Sequence, residues 1–367
     1  MTPAQSQIAE RVRAAAAQKR PLRLRGAGTK DFHGGPLDGE VLALDGLAGV
    51  TSYEPSELVV TVQAGTPLAQ LEALLQAHGQ CLPFEPPRFG EGGTVGGMVS
   101  AGLAGPARAS VGSVRDYVLG ASLINGRGEL LTFGGQVMKN VAGYDVSRVL
   151  AGAWGTLGVI TEVSLKVLPV APAEATRVFD CSQAEALRLL NAWGGQPLPL
   201  NASVWQAESG ATVGRLHLRL RGAAAAVQAA GRQLGGEVLP ADAAEVLWGS
   251  LRDQRHAFFT DALALGCDLW RASVPQTAPL LAGAGLPPPL VEWHGGQRWY
   301  ALPPGGAAAL VEAVRAAGGW TAAFRPAADR RATPAPLPPA LLTIHRALKV
   351  AFDPAGIFNP GRLVPGL

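Results

Sequence analysis

The chain has 367 residues, 48% hydrophobic and 16% charged, enough apolar material for two domains and too much for bulk disorder. Its net charge of +3 comes with no tract of Lys and Arg, so neither nucleic acid nor an acidic membrane surface is an expected partner. Three scattered cysteines (Cys81, Cys181 and Cys267) with no CxxC exclude a zinc ribbon or iron–sulfur cluster built by this chain alone and suit a reducing cytoplasm.

The first residues are polar and lack the apolar segment of a secretory signal, and no apolar run approaches membrane-spanning length. Residues 5–19 read as a helix with Ile8, Val12 and Ala15 on one face. Pro21–Arg25 alternates like a short strand and ends in Gly26-Ala27-Gly28-Thr29-Lys30, a tight turn able to cradle phosphate. Val41–Asp45 and Leu58–Gln63 read as strands, the second by its β-branched content. Thr66 and Pro67 read as the N-cap and first residue of a helix over 67–78, which carries Leu68, Leu71, Leu74 and Leu75 on one face and stops at Gly79. Pro83, Pro86 and Pro87 make the next segment rigid and extended.

That segment delivers the chain to Gly90–Gly105, with seven glycines in sixteen residues. Glycine accepts φ > 0 and lets a ligand approach main-chain N–H groups closely. Successive N–H groups make an anion-binding nest, and a short helix expected over Thr94–Ala101 adds its N-terminal dipole. A phosphate or pyrophosphate suits such a nest. A glycine-rich surface loop is the structural alternative in a chain with 47 glycines.

Val118–Ile124 and Glu129–Phe133 flank Asn125-Gly126-Arg127-Gly128 as a hairpin. Asp145–Leu150 is expected as a short helix, Ala151–Gly158 as a second glycine-rich turn, and Val159–Leu168 as a long strand. Pro169 and Pro172 mark a boundary. Beyond it, Ser182 and Glu185 form a capping box for a helix over 183–193. Arg215–Arg221 alternates, with leucines inward and Arg/His on a solvated face. Helices at 223–234, 241–257 and 306–317, strands at Asp268–Val274 and 319–325, and a hairpin at Gly295-Gly296 predict a smaller α+β domain over 171–328 with an antiparallel sheet. The remainder, 329–367, holds Pro/Ala/Arg-rich linker residues, a helix over 338–352 and a double turn at Phe352–Gly361. No repeat of solenoid length occurs.

In order, Arg25-Gly-Ala-Gly28-Thr29, Tyr53-Glu-Pro55, Gly92-Gly-Thr-Val-Gly-Gly97, Gly155-Thr-Leu-Gly158-Val-Ile-Thr-Glu162 and Phe358-Asn-Pro-Gly361 resemble the FAD-binding domain shared by vanillyl-alcohol oxidase (VAO), p-cresol methylhydroxylase (PCMH) and the D-lactate dehydrogenases. Within that family, Ile124–Arg148 and Phe352–Arg362 look most like the FAD-binding E subunits of bacterial glycolate oxidases. The resemblance implies an α+β fold. A two-subdomain PCMH/VAO-type FAD-binding domain over 1–170 would precede a ferredoxin-like cap domain over 171–328. The C-terminal helix and turn would return to the FAD domain.

The resemblance also implies a cofactor site. Arg25, Gly26, Ala27, Gly28 and Thr29 would hold the FAD pyrophosphate together with Gly92, Gly93, Thr94, Val95, Gly96 and Gly97, approached through Pro86. Ser110, Gly112 and Asp116 would near the flavin or ribityl region, and Gly158, Val159 and Ile160 the adenine side. The FAD is expected to be non-covalent, because the flavin-linking His of covalent members falls where this chain has Thr29, with His33 offset. GAGTK lacks the third glycine of a Rossmann fingerprint. The homologous D-2-hydroxy-acid dehydrogenases carry closely spaced metal-binding histidines, whereas the six here are isolated, so no metal site is expected.

The implied function is a FAD-dependent oxidoreductase acting on CH–OH groups. It would be one subunit of a cytoplasmic complex oxidising glycolate to glyoxylate, beside a homologous flavin subunit and an iron–sulfur subunit, with membrane association at most peripheral and through the complex. Two other readings stay open: a self-sufficient FAD oxidase or dehydrogenase of another hydroxy acid or sugar acid, and a non-catalytic flavin-domain scaffold. Oxidising a 2-hydroxy acid needs a cation for the carboxylate, a base for the hydroxyl proton and the α-hydrogen close to the flavin. Arg271 is a candidate for the carboxylate, His294 for the base, and Arg298 stands beside it. Each has a structural alternative, as a strand arginine or a hairpin histidine. Asn140 and Tyr144 read as structural.

Overall fold

The computed structural model describes every residue except 136–144, 208–209, 282–284, 328–330, 333 and 335. The packing forms two compact units: Met1–Leu103 with Ser113–Val170 and Thr333–Leu367, and Ala104–Gly112 with Ala171–Ala332.

The first unit opens with α1 (Pro3–Ala17), whose end is closed by a reciprocal capping box between Thr2 and Gln5. Its buried stripe of Ile8, Ala9, Val12 and Ala15 follows the helical period. β1 (Leu22–Arg25) and β2 (Glu40–Ala43) pair in parallel. β3 (Val50–Glu54) and β4 (Val59–Gln63) lead to α2 (Leu68–Ala77), β5 (Gln80–Cys81) and α3 (Val95–Ala101). Pro67, not Thr66, stands at the N-cap of α2, because Thr66 Oγ1 already accepts from Gly49 N at 2.9 Å and donates to Gly49 O at 3.2 Å. β6 (Val118–Ile124), β7 (Leu130–Gly134) and β8 (Val159–Lys166) complete a five-stranded antiparallel sheet of order β3-β4-β8-β6-β7. β9 (Leu168–Pro169) pairs with β5. Between β7 and β8, Ser147–Leu150 forms only a 3-10 turn.

The C-terminal tail is stitched into this unit. Leu22 N donates to Ile357 O at 2.7 Å, and Asn359 N donates to Leu22 O at 3.0 Å. The helix Pro339–Phe352 buries Lys349, whose Nζ donates to Thr156 O, Phe358 O and Asp353 Oδ2, each at 2.8 Å. All three ammonium donors are thereby used. Asp353 in turn accepts from Ile357 N at 3.1 Å and Phe358 N at 2.8 Å. Ile357 and Phe358 then pack with Ile8, Val12, Leu22, Ile124 and Val159.

In the second unit, β10 (Ala173–Cys181), α4 (Gln183–Gly194), β11 (Leu200–Gln206), β12 (Gly214–Gly222), α5 (Ala224–Leu234) and β13 (Glu237–Leu239) form a βαββαβ half with sheet order β13-β10-β12-β11. After α6 (Ala241–Arg252) and α7 (Ala257–Ala264), a second half follows. It consists of β14 (Asp268–Ser273), β15 (Leu290–Glu292), β16 (Gln297–Leu302), α8 (Ala308–Ala316) and β17 (Trp320–Arg325). Its order, β15-β16-β14-β17, is the same ferredoxin-like arrangement, with no first helix among the described residues. The halves join through β11 and β15 into one eight-stranded sheet.

Two expectations change here. The helix expected over 241–257 ends at Arg252 and restarts at Ala257, where His256 Nδ1 accepts from Phe258 N at 3.3 Å. The Arg/His face of β12 is solvated only in part: Arg215 is exposed, while His217 and Arg221 are half-buried. Leu216, Leu218 and Leu220 enter the core as expected, but on the other side Arg219 is only 2% exposed and lies 4.9 Å from the Trp248 ring of α6. Helices cover both faces of the sheet, so alternation alone does not mark a wet side.

Candidate functional site

The turn after β1, the start of α3 and the C-terminal tail border an open cleft in the first unit. Arg25, Gly26, Ala27, Gly28, Thr29, Thr94, Gly96, Gly97, Gly158 and Ile160 line it. Pro86, Gly92, Gly93, Val95 and Val159 are not in its wall, and Val95 and Val159 are fully buried in the core. Gly28 sits at φ +73°, which a side chain would strain.

The cleft's anion-binding capacity can be counted on main-chain donors. In the wall, the N–H groups of Gly26, Ala27, Gly28, Thr29 and Thr94 have no partner among the described residues; those of Gly92 and Gly93 are likewise unpartnered but stand outside the wall, just before Thr94. By contrast, Val95 N donates to Thr66 O at 2.9 Å, Gly96 N to Ala64 O at 2.7 Å and Gly97 N to Thr94 Oγ1 at 3.2 Å. The available donors therefore precede α3, and its first turn is already satisfied. Gly96 serves packing: a β-carbon there would lie 2.6 Å from Ala64 Cβ.

Among the wall residues that the sequence reading did not assign to the site are Asn359, Trp154 and Arg362. Asn359 accepts from Leu24 N at 2.9 Å and donates to Trp154 O at 2.7 Å. Trp154 holds φ +52° and stacks on His33 with centroids 4.6 Å apart. Arg362 lies 5.5 Å from the same ring and donates to Gly35 O at 2.8 Å. The Phe-Asn-Pro-Gly run signals the tail, but no pattern shows that it folds back onto β1. Asp116 caps the short helix Val114–Tyr117, accepting from Ser113 N at 2.8 Å and Ser113 Oγ at 3.0 Å. Ser110 and Gly112 pack with the second unit. Asn140 and Tyr144 lie outside the described residues.

In the second unit the three catalytic candidates do not converge. Arg298 is completely buried. Its guanidinium donates to Gly295 O at 3.2 Å and to Pro279 O and Ala278 O at 2.6 Å each. It pins the segment between β14 and β15, where the first half of the sheet has a helix, and this is a structural role. Arg271 faces the opposite side of the sheet, since it pairs with Trp299 while Arg298 pairs with Ala272. Its guanidinium lies 5.7 Å from the Phe324 ring and has no hydrogen bond or ion pair among the described residues. Burial, with Arg108 nearby, lowers its pKa to about 10.

His294 sits in a strained turn. Trp293 and His294 both take left-handed φ, +52° and +56°, at a cost of order 1 kcal/mol or more each. Ser203 Oγ accepts from His294 N at 3.0 Å, and Trp293 Nε1 donates to Gly105 O at 3.1 Å. Arg108 lies 4.6 Å over the Trp293 ring. His294 Nε2 and Ser110 Oγ share a bond of 3.0 Å, while Nδ1 is buried without a partner. Burial pushes the pKa of His294 down to about 4, so it is neutral at pH 7 and a weak base.

Residues 4–134 match the family model of the FAD binding domain, and residues 329–363 match that of the C-terminal domain of FAD linked oxidases. The chain is 42% identical over 356 residues to glycolate oxidase subunit GlcE of Escherichia coli (strain K12), covering 97% of this chain and 96% of that one. The chain belongs to the GlcE family of FAD-linked oxidoreductases.

Glycolate oxidase subunit GlcD of Bacillus subtilis (strain 168) is 32% identical over 152 residues, covering 41% of this chain and 32% of that one. Among solved structures, an alkyldihydroxyacetonephosphate synthase shares the fold, with a TM-score of 0.67 at 16% identity over 96% of this chain and 74% of that one. The cofactor of the GlcE family member is therefore FAD, and the cleft fits it. Two sets of unpaired N–H groups suit the two phosphates of a pyrophosphate, and the glycines leave the main chain open to close approach.

Proposed function

We propose that the chain is the FAD-carrying subunit of a glycolate (2-hydroxy acid) oxidase or dehydrogenase complex. It takes part in oxidising glycolate to glyoxylate, beside a homologous flavin subunit and an iron–sulfur subunit that receives the electrons. The observation that carries this reading is the likeness to a glycolate oxidase subunit along nearly the whole chain. No helix of the described residues is long and apolar enough to cross a membrane. The reading sets the reaction in the cytoplasm, with any membrane contact made through the complex.

In this reading Gly26–Thr29 and Gly92–Thr94 hold the pyrophosphate through main-chain N–H groups, and Gly158–Ile160 follow the adenine side. The link is non-covalent in this reading, since Thr29 stands where covalent relatives carry the flavin-linking His and His33 is offset from it. When bound, FAD supplies the two-electron acceptor for the α-hydrogen of a hydroxy acid. Arg271 takes the carboxylate. His294, neutral and bonded to Ser110, orders the 104–112 segment.

Co-purification of the complex from its native host, with flavin counted per polypeptide, tests this. The expected result is FAD equimolar with this chain, and loss of flavin absorbance when glycolate is added to the assembly. A chain that alone oxidises glycolate as fast as the assembly would be a self-sufficient enzyme. A colourless chain would be a scaffold.

A further inference from the structure

The α6/α7 side of the eight-stranded sheet carries two groups whose hydrogen-bonding capacity is unused. In the β14–β16 ladder Arg271 pairs with Trp299, and Ser273 pairs with Gln297. Residues paired across a ladder share a face, as do residues two apart on one strand, so Arg271 and Gln297 are diagonal neighbours with Cα atoms about 7–8 Å apart.

Gln297 is 3% exposed. Its Nε2 donates to Glu292 Oε2 at 3.1 Å, and Trp299 Nε1 donates to the same oxygen at 2.6 Å. An ionised carboxylate only accepts, so Glu292 fixes which end of the amide faces it. The other end, Oε1, is buried and has no donor among the described residues. Arg271 is the complement, a fork of donors with no acceptor among the described residues. A buried acceptor left without a donor costs about 1–3 kcal/mol, whereas Arg271 is only half-buried and keeps part of its surface open to a ligand or to water. Both occur on one diagonal, and no bond joins them.

We infer that Arg271 and Gln297 form a 2-hydroxy-acid site in the second unit, Arg271 holding the carboxylate and Gln297 Oε1 accepting from the α-hydroxyl. The choice of acid rests on the proposed role in glycolate oxidation. A 2-hydroxy acid presents an anionic acceptor and a neutral donor on adjacent carbons, matching a free cationic fork and a free acceptor. Arg271 keeps its charge at neutral pH although burial and Arg108 lower its pKa to about 10, and an anion relieves both effects. Glu292 is a positioning residue, acting through the Gln297 amide. Trp299 and Phe324, with centroids 4.9 Å apart, supply an apolar wall.

Ligand-observed NMR titration of the full-length, FAD-loaded chain tests the site with three probes. Glycolate carries both groups, acetate lacks the hydroxyl and glycolamide lacks the charge. Glycolate is expected to bind about 10-fold more tightly than acetate, and glycolamide not measurably. Gln297→Leu removes the acceptor at similar volume. It should bring glycolate to the acetate level and leave acetate unchanged. Arg271→Met should lose both acids. Glu292→Gln frees the Gln297 amide to turn and should weaken glycolate alone. Near-ultraviolet circular dichroism, to which Trp270, Trp293 and Trp299 of the second unit contribute, should match that of the native chain in the Gln297→Leu, Arg271→Met and Glu292→Gln samples, which shows that the fold of that unit is kept.

Equal binding of glycolate and acetate to the native chain would overturn the site, as would a Gln297→Leu loss shared by both acids. Failure of the complex reading looks different: glycolate binds with the selectivity above, yet flavin absorbance in the assembly does not respond to it.

Discussion

Gly26 lies so close to Thr94 that a β-carbon on it would stand 2.5 Å from Thr94 Oγ1 and 3.2 Å from Cγ2. The same Oγ1 caps α3 by accepting from Gly97 N at 3.2 Å. The two loops that offer free N–H groups are therefore one mechanical piece. Gly26→Ala should push Thr94 off its cap and displace both sets of donors, weakening FAD binding at least about 10-fold. Adding Thr94→Ala removes the colliding atoms. It should restore most of the affinity while costing about 1 kcal/mol of stability for the lost cap. Flavin-fluorescence titration of the two variants checks this, and native affinity in the single variant would show that the loops move independently.

Lys349 and Asp353 form a buried pair at 2.8 Å that also anchors Thr156, Ile357 and Phe358. Lys349→Met leaves the Asp353 charge uncompensated, and breaking such a pair costs roughly 3–5 kcal/mol. The urea midpoint should fall accordingly. FAD loading should fall with it, because Asn359 in the cleft wall follows directly on the anchored residues. Asp353→Asn in the same chain removes the stranded charge and should recover part of the stability. No recovery would assign the loss to the carbonyl contacts alone.

The cleft was legible because its chemistry resides in local sequence: a glycine at φ +73° in the first loop and a dense glycine run in the second each speak for themselves. The pattern does not separate a glycine that faces a ligand from one that faces Ala64, and Gly96 is of the second kind. Nor does it show that Asn359 meets Leu24 across 335 residues of sequence. In the second unit, β10 and β11 went unread, and the register that puts Arg271 and Arg298 on opposite faces exists only once β14 and β16 are paired. Arg271 and Arg298 looked alike in sequence, yet Arg298 has three carbonyl partners and Arg271 has no acceptor among the described residues.

That difference is measurable. Arg298→Met strands Gly295 O, Ala278 O and Pro279 O inside the second unit, at about 1–3 kcal/mol for each acceptor that finds no water. The variant should melt at lower temperature and lose the order of the β14–β15 connection, seen as faster amide exchange in 274–281. FAD affinity should stay at the native value, since Arg298 lines no part of the cleft. Arg298→Lys should rescue little, because a point ammonium cannot span carbonyls that a planar fork reaches together. Loss of FAD with native stability would reverse the assignment.

Burial holds His217 and His294 down to about 4 and also lowers His256. In the unfolded chain histidine titrates near about 6.5. Below that pH the unfolded state binds protons that the folded state refuses, so stability rises with pH and is lost as pH falls. For His217 and His294 the loss begins near pH 6.5 and is complete near pH 4. It amounts to roughly 2–3 kcal/mol for each group by pH 4. Arg215 and His256 near His217 deepen its reluctance to take a proton. Gln at position 294 cannot titrate but keeps a polar end for Ser110. His294→Gln should flatten the curve of urea-unfolding free energy against pH by about 1.4 kcal/mol per pH unit between 6 and 4.5. Superimposable native and variant curves over that range would mean that His294 takes its proton in the folded state as readily as in the unfolded one.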